Sequence, residues 1–308
     1  MKQEKLFTLI LRGLLFALFA FSTVASADTL YFVDAHSQVD HKVKDINIVL
    51  KRMRENGVRT TILASRGRRE ARDIVLLARR SGGKVVASIR TKGGKYTKNK
   101  SQYYKKLEKQ SSNGNFGAIA EVLMFHARKG NKADEVDIMP NDKRVQAALK
   151  AAQENGWPFV AHIEFASLRG SKRERYMKAF ESMLTRNPST PILLIHMGQL
   201  QPGEAEALLK AHENFFLLTS HADRFTTETS SQPWVNMFKG QKFKPEWKSL
   251  IQRYPGHFVF ALDNVWAEHW QSGYAAKVKL WREALGGLDP AVAAKVAHEN
   301  AERLYSLN

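Results

Sequence analysis

Eight apolar, β-rich runs alternate with helical patterns along the chain, and this alternation constrains the fold more than any other feature. The runs are "TLYFVDAH", "VRTTILAS", "KVVASIRT", "FGAIAEVLMF", "PFVAHIEF", "PILLIHMG", "NFFLLTSHA" and "HFVFALDN". Between them lie helical segments such as "DINIVLKRMREN", "RREARDIVLLARRSG", "DKRVQAALKAAQENG" and "KRERYMKAFESMLTRN", and two more follow the eighth run. The runs are almost continuously apolar, as parallel strands covered by helices on the outside must be. Asn155-Gly156 supplies a left-handed helix stop, and Asp289-Pro290 an N-cap followed by proline at the first helical position. Eight strands, each followed by a helix, in 308 residues predict an α/β fold of the (β/α)8 TIM barrel type in a single domain. A doubly wound open sheet shares the same alternation.

Residues 1–27 are set apart from this pattern. "MKQEKLFTLILRGLLFALFAFSTVASA" has a basic start, the apolar stretch "GLLFALFAF" and a small-x-small end at Ala25-Ser26-Ala27. This is the layout of a signal peptide, with cleavage expected after Ala27. The expectation is a periplasmic or secreted protein whose barrel domain spans 28–308. No other stretch is long and apolar enough to cross a membrane.

The chain has no cysteine, so a metal site must be built from His, Asp, Glu and their neutral relatives. Its formal charge is +18, and loss of Lys2, Lys5 and Arg12 against Glu4 leaves about +16 on the mature chain. Such a chain attracts anions, including a small acidic substrate or a polyanion in contact with its basic surface. The segment "RTKGGKYTKNKSQYYKKLEKQ" interleaves Tyr96, Tyr103 and Tyr104 with lysines. That pattern suits either a nucleic-acid surface or a solvated loop and helix face. Without phosphate or base-stacking motifs elsewhere, nucleic acid is not the expected partner.

In a barrel, chemistry gathers at the C-terminal ends of the strands. His36 and Gln38 stand at the end of the first run, Ser65 and Arg66 after the second, and Arg90 after the third. Glu121 lies inside the fourth. His162 and Glu164 belong to the fifth, His196 to the sixth, Thr219 and His221 to the seventh, Asp263 and Asn264 to the eighth. A buried histidine is more often a hydrogen-bonded core residue than a ligand. Here, however, four of the ten histidines fall at strand ends on one face. His126 and His269 stand just beyond the fourth and eighth runs and are ambiguous. Imidazoles beside two carboxylates suit a divalent cation such as Zn²⁺. A nucleophilic triad fits poorly, because there is no cysteine and no G-x-S-x-G elbow. "KGGK" at 92–95 lacks the context of a phosphate loop.

The order and spacing of "VDAHSQ", "GAIAEV", "GWPFVAHIEF", "PILLIHMG", "FALDN" and "AHENAERLYSL" resemble the amidohydrolase superfamily, in its branch of amidohydrolase-related barrel hydrolases. The resemblance covers nearly the whole mature chain. It implies metal ligation by His36, His162, His196 and Asp263, with Glu121 at the position of a bridging carboxylate. It gives Asp263 and His196 the catalytic roles of water-proton acceptor and oxyanion stabiliser. Gln38 stands where a second histidine is usual. As a weaker donor it is expected to leave one tightly held ion, Zn²⁺ by preference, rather than two.

The resulting expectation is an exported metal-dependent hydrolase acting on an ester, lactone or amide bond of an anionic small molecule. Arg90 and Arg66 at the mouth would clamp the substrate anion, with His221 beside it. The rival expectation, motivated by Gln38 and the charge, is a catalytically inactive barrel that binds an anionic ligand or envelope polymer.

Overall fold

The computed structural model describes residues 30–129 and 133–307. The leader expected at 1–27 lies outside the described residues. No helix among the described residues is long and apolar enough to cross a membrane.

The barrel wall consists of β1 (Phe32–Asp40), β2 (Val58–Arg66), β3 (Val85–Ile89), β4 (Ala118–Ile119), β5 (Val122–His126), β6 (Phe159–Ile163), β7 (Ile192–Leu194), β8 (Phe215–Leu218) and β9 (Phe258–Val259). Neighbours pair in parallel from β1 to β4, and from β5 through β8 to β9. The fourth apolar run is therefore two strands, not one. Its first half pairs with β3 and its second half with β6, and Glu121 stands at the break. The wall closes on the other side where the segment after β9 meets β1. Ala35 N–H donates to Phe260 O (3.0 Å), Asp263 N–H to His36 O (2.8 Å) and Gln38 N–H to Asn264 O (2.7 Å). These bonds exclude the open sheet.

Helices cover the outer face, at Ile48–Asn56, Ala71–Arg80, Ser101–Ser111, Lys143–Glu154, Gly170–Arg186, Pro202–Ala211, Pro245–Arg253 and Ser272–Leu285. Their ends follow the sequence cues. Gly156 is left-handed (φ 66°), and the Asp289 carboxylate accepts from Ala291 N (2.8 Å) and Val292 N (3.4 Å). The large apolar cluster lies between strands and helices, with Trp270, Trp281, Phe159 and Phe180 fully buried. A smaller cluster holds Val33, Ile62, Val160, Leu193, Leu218 and Val259. Val160 and His162 are two apart on β6 and share a face, so this cluster fills the barrel interior below the polar residues. Ala301, Leu304 and Tyr305 join it from the C-terminal helix Asn300–Tyr305.

The lysine–tyrosine segment is packed rather than displayed. Tyr96 and Tyr103 are buried, and their hydroxyls donate to Leu123 O (2.6 Å) and Arg144 O (3.1 Å). Tyr104 donates to Asn99 Oδ1 (2.6 Å). These rings anchor the 101–111 helix.

The closure depends on Asp34, which is fully buried. Its carboxylate accepts from Leu262 N (2.9 Å), His36 N (3.3 Å), Ser37 Oγ (2.5 Å) and Thr61 Oγ1 (3.1 Å). One side chain thus ties β1 to β2 and to the segment after β9. Burial pushes its pKa up to about 6, against the opposing pull of the Ser37 and Leu262 hydrogen bonds. Asp34→Ala leaves those donors without an acceptor and should lower unfolding free energy by roughly 2–4 kcal/mol in denaturant titrations. Because the folded value lies above the ordinary 3.8, the stabilisation tied to its protonation is complete below that pH and is lost as pH rises through about 6. The stability of the wild type relative to Asp34→Asn should therefore decline between about pH 4 and pH 7.

Candidate metal centre

The polar residues singled out at the strand ends converge at one end of the barrel. His36 and Gln38 project from the second half of β1, next to a register irregularity between Asp34 and Ser37. Glu121 enters from the break between β4 and β5, and His162 from β6. β7 ends at Leu194, so His196 stands beyond the strand in a turn whose residues His196, Met197, Gly198 and Gln199 are all left-handed. Gly198 is required there, since a Cβ would collide with Leu194. His221 (φ 58°) and Asp263 (φ 46°) are left-handed as well. Non-glycine residues avoid this region, and such strain concentrates at functional sites.

Three groups of ligand atoms lie within 4.8 Å of one another: Glu121, His162 and His196; His196, His221 and Asp263; and His36, Glu121 and Asp263. Asp263 is the hub of the last two. Its Oδ1 is 3.5 Å from His36 Nε2, and its Oδ2 is 3.7 Å from His196 Nε2 and 3.5 Å from His221 Nε2. Gln38 Nε2 donates to Glu121 Oε1 (3.0 Å) and Asp263 Oδ1 (2.9 Å), while the buried Gln38 Oε1 has no partner.

The two imidazoles nearest Glu121 are held from behind. His162 lies between two carboxylates, with Nε2 3.3 Å from Glu164 Oε1 and Nδ1 against Glu121 Oε2. His196 Nδ1 meets the Ser220 hydroxyl at 3.0 Å, leaving Nε2 facing inward. Outer partners of this kind fix ring orientation in metal sites. Burial lowers the pKa of both histidines, with His221 and His162 adding to the effect at His196. Burial likewise lowers His221 to about 3. Neutral rings are what metal ligation requires. Burial alone would raise Asp263, but the hydrogen bond from His36 and the proximity of His221 and His196 carry its carboxyl well below the usual range. The donor set of Glu121, His162 and His196, with two imidazole nitrogens and a carboxylate oxygen, fits a borderline divalent cation.

The mouth is cationic and aromatic. Arg90 Nη1 donates to Gly67 O (2.6 Å), its Nε is buried without a partner, and Arg66 lies over the half-exposed Trp266 ring (5.7 Å). The expected arginine pair is thus present, with Arg90 partly committed to the backbone. Sequence reasoning passed over Lys92, whose Nζ pairs with Glu121 Oε1. Burial lowers its pKa first, then Arg66, against the opposing pull of Asp263. It also passed over Lys129, 3.3 Å from Glu164 Oε1 and 4.6 Å over the Trp234 ring. Trp234 packs edge-on against His196 and His221, whose rings stack at 4.2 Å. Lys92 had a legible signal, a cation three residues past β3, but its glycine neighbours suggested only a failed phosphate loop. Trp234 lies in a segment with no periodicity. Of the ambiguous histidines, His269 accepts from Val265 N (3.2 Å) and serves the turn, whereas His126 lies 4.0 Å from Glu164 at the edge of the site.

Comparison with known proteins agrees with this architecture. The Amidohydro_2 family model, described as amidohydrolase, matches residues 125–307. No curated protein sequence matches the chain. Among solved structures, the chain is similar to a TIM-barrel protein of Bordetella bronchiseptica (13% identity, TM-score 0.56, covering 86% of this chain and 83% of that one). It is similar to a zinc-bound amidohydrolase of Burkholderia multivorans (14%, 0.54, 90% and 100%). It is also similar to a dihydroorotase of Campylobacter jejuni (11%, 0.54, 91% and 84%). Identities this low speak for the fold, and the family match covers more than half of the chain. With the family match added to the barrel and its His/Glu/Asp clusters, the chain belongs to the amidohydrolase family and is a metal-dependent hydrolase of that type.

Proposed function

We propose that the protein is an exported hydrolase that cleaves an ester, lactone or amide bond in an anionic small molecule, using one Zn²⁺ held by Glu121, His162 and His196. The observation that carries this reading is the convergence of Glu121, His162 and His196, whose ligand atoms lie within 4.8 Å of one another. Burial lowers the pKa of both imidazoles, which keeps them in the neutral form that metal ligation needs. Glu164 and Ser220 hold the two rings from behind. Export rests on the leader read at 1–27, with Asp28 as the first mature residue and a periplasmic or secreted destination.

When bound, the cation supplies Lewis acidity, lowering the pKa of water and polarising a carbonyl. The side chains do the rest. Asp263, ionised at neutral pH, accepts the water proton at Oδ2, because its Oδ1 is engaged by Gln38. His221 is neutral, and its Nδ1 has no partner, so it can contact the substrate beside the reacting carbonyl. Trp234 packs against both histidines and shields that side from water. Arg66 and Arg90, with Lys129 beside Trp234, give the mouth a positive field that favours an anionic substrate. The basic surface beyond would serve for weaker contact with polyanions.

Elemental analysis of protein purified without chelator tests the centre, with one zinc per chain expected and zero overturning the reading. Asp263→Asn should keep the fold and the ion but lose roughly 10²-fold or more in turnover, because the amide has the shape of the carboxylate without its basicity. Wild-type turnover in that variant would remove Asp263 from the proton transfer. With an acidic substrate, Arg66→Ala and Arg90→Ala should raise KM more than they lower kcat. Equal effects on an uncharged analogue would count against anion recognition.

A further inference from the structure

The two oxygens of Glu121 face different neighbours. Oε2 lies against His162 Nδ1, in the centre assigned above. Oε1 turns toward His36 and Asp263, a second group of ligand atoms close enough to hold a cation of its own. That second position is already served by nitrogen. Gln38 Nε2 spends both of its protons there, one on Glu121 Oε1 (3.0 Å) and one on Asp263 Oδ1 (2.9 Å). Lys92 Nζ pairs with the same Glu121 oxygen.

We propose that Lys92 Nζ, together with Gln38 Nε2, takes the place of a second cation between Glu121 and Asp263, so that the barrel holds one ion although its side chains outline two positions. The proposal rests on the single-ion reading of the preceding section and adds what limits the count.

Three further observations support it. First, Gln38 is turned with its nitrogen inward, and its buried Oε1, the atom able to ligate a metal, has no partner. The amide thus serves the carboxylates as a donor in preference to satisfying its own oxygen. Second, Lys92 is held next to Glu121 by the backbone. The neighbouring Thr91 is fully buried, and its hydroxyl lies within hydrogen-bond reach of Ala120 O (3.1 Å) and Glu121 O (2.8 Å). This tether fixes the start of the lysine side chain beside the residue its Nζ reaches. Third, the Lys92 side chain is only 10% exposed, so the nitrogen is built into the site rather than folded over it from solvent. A group donating into two carboxylate oxygens and an incoming cation compete for the same electron pairs, and the residue already tethered there has the advantage.

The test is metal per chain, measured by elemental analysis after dialysis at equal free zinc, with folding checked by circular dichroism. Four proteins are compared: wild type, Gln38→His, Lys92→Met and the double variant. Wild type should hold one ion. Gln38→His should also hold one, because Lys92 still occupies the position. Lys92→Met should take up a second ion at least about tenfold more weakly than the first, and the double variant should hold two firmly. Two ions in wild type or in Gln38→His alone would overturn the proposal, and so would one ion in a folded double variant. Should the Lys92 variants not fold, the wild type and Gln38→His decide, one ion in each upholding the proposal and two in either overturning it. Zero metal in the wild type would overturn the single-ion reading itself and this proposal with it. One ion in both the wild type and the folded double variant would leave that reading intact and remove only the role of Lys92.

Discussion

A carboxylate buried at the break between two strands governs the site. Glu121 is 1% exposed and has apolar Ala120 and Val122 on either side. Removing an ionised group from water costs several kcal/mol unless partners replace the solvent, on the order of magnitude expected for buried ions. Here the partners are Gln38, Lys92 and His162, drawn from β1, the loop after β3, and β6. The carboxylate therefore holds together three parts of the wall that share no sequence neighbourhood. The same break lets the fourth run pair with β3 on one side and β6 on the other, so the point where the barrel turns is also the point where it is charged.

Much of the fold was legible because it is written in periodicity. Continuous apolar runs, a helix stop at Gly156 and a helix start at Asp289 are local properties, and the elements appear where those signals lie. Closure was not legible, because it depends on backbone bonds between residues such as Gln38 and Asn264, far apart in the chain. The split of the fourth strand was missed for a related reason: pairing partners, not composition, decide where a run is cut. Within the site, inward-facing histidines and carboxylates could be read from their place at strand ends. Lys92, Lys129 and Trp234 could not, since each reaches the site from a loop whose path no periodic pattern fixes. The role of the tyrosines shows the converse. Their interleaving with lysines looked like a surface motif, but helical geometry turns Tyr103 and Leu107 inward on one face and the lysines outward.

The electrostatics of the mouth follow from burial more than from net charge. Burial, and after it the neighbouring Arg66, lowers the pKa of both Arg90 and Lys92, that of Lys92 the more. Grouped cations with few carboxylates to share favour an anion arriving from outside. The acidic groups nearby are committed, Glu164 to His162 and Lys129 and held at about 2 despite its burial, and Glu121 to the interior. The gradient therefore runs from a positive rim to an anionic floor, which directs an acidic tail outward and a carbonyl inward.

At the opposite end, the chain passes through a π turn at Lys295–Glu299 before the final helix. In that turn the Val296 carbonyl accepts from Phe260 N–H (3.0 Å), and Asn300 Nδ2 donates to Phe258 O (2.8 Å). The wider turn is thus a structural splice: a helix lends a hydrogen bond to the continuation of β9, which carries Asp263 three residues further on. A one-residue deletion there would restore regular helical pitch while withdrawing that bond from the wall. The register of the aspartate is consequently set in part from the floor of the barrel, and the helix that plugs one end takes part in aiming the chemistry at the other.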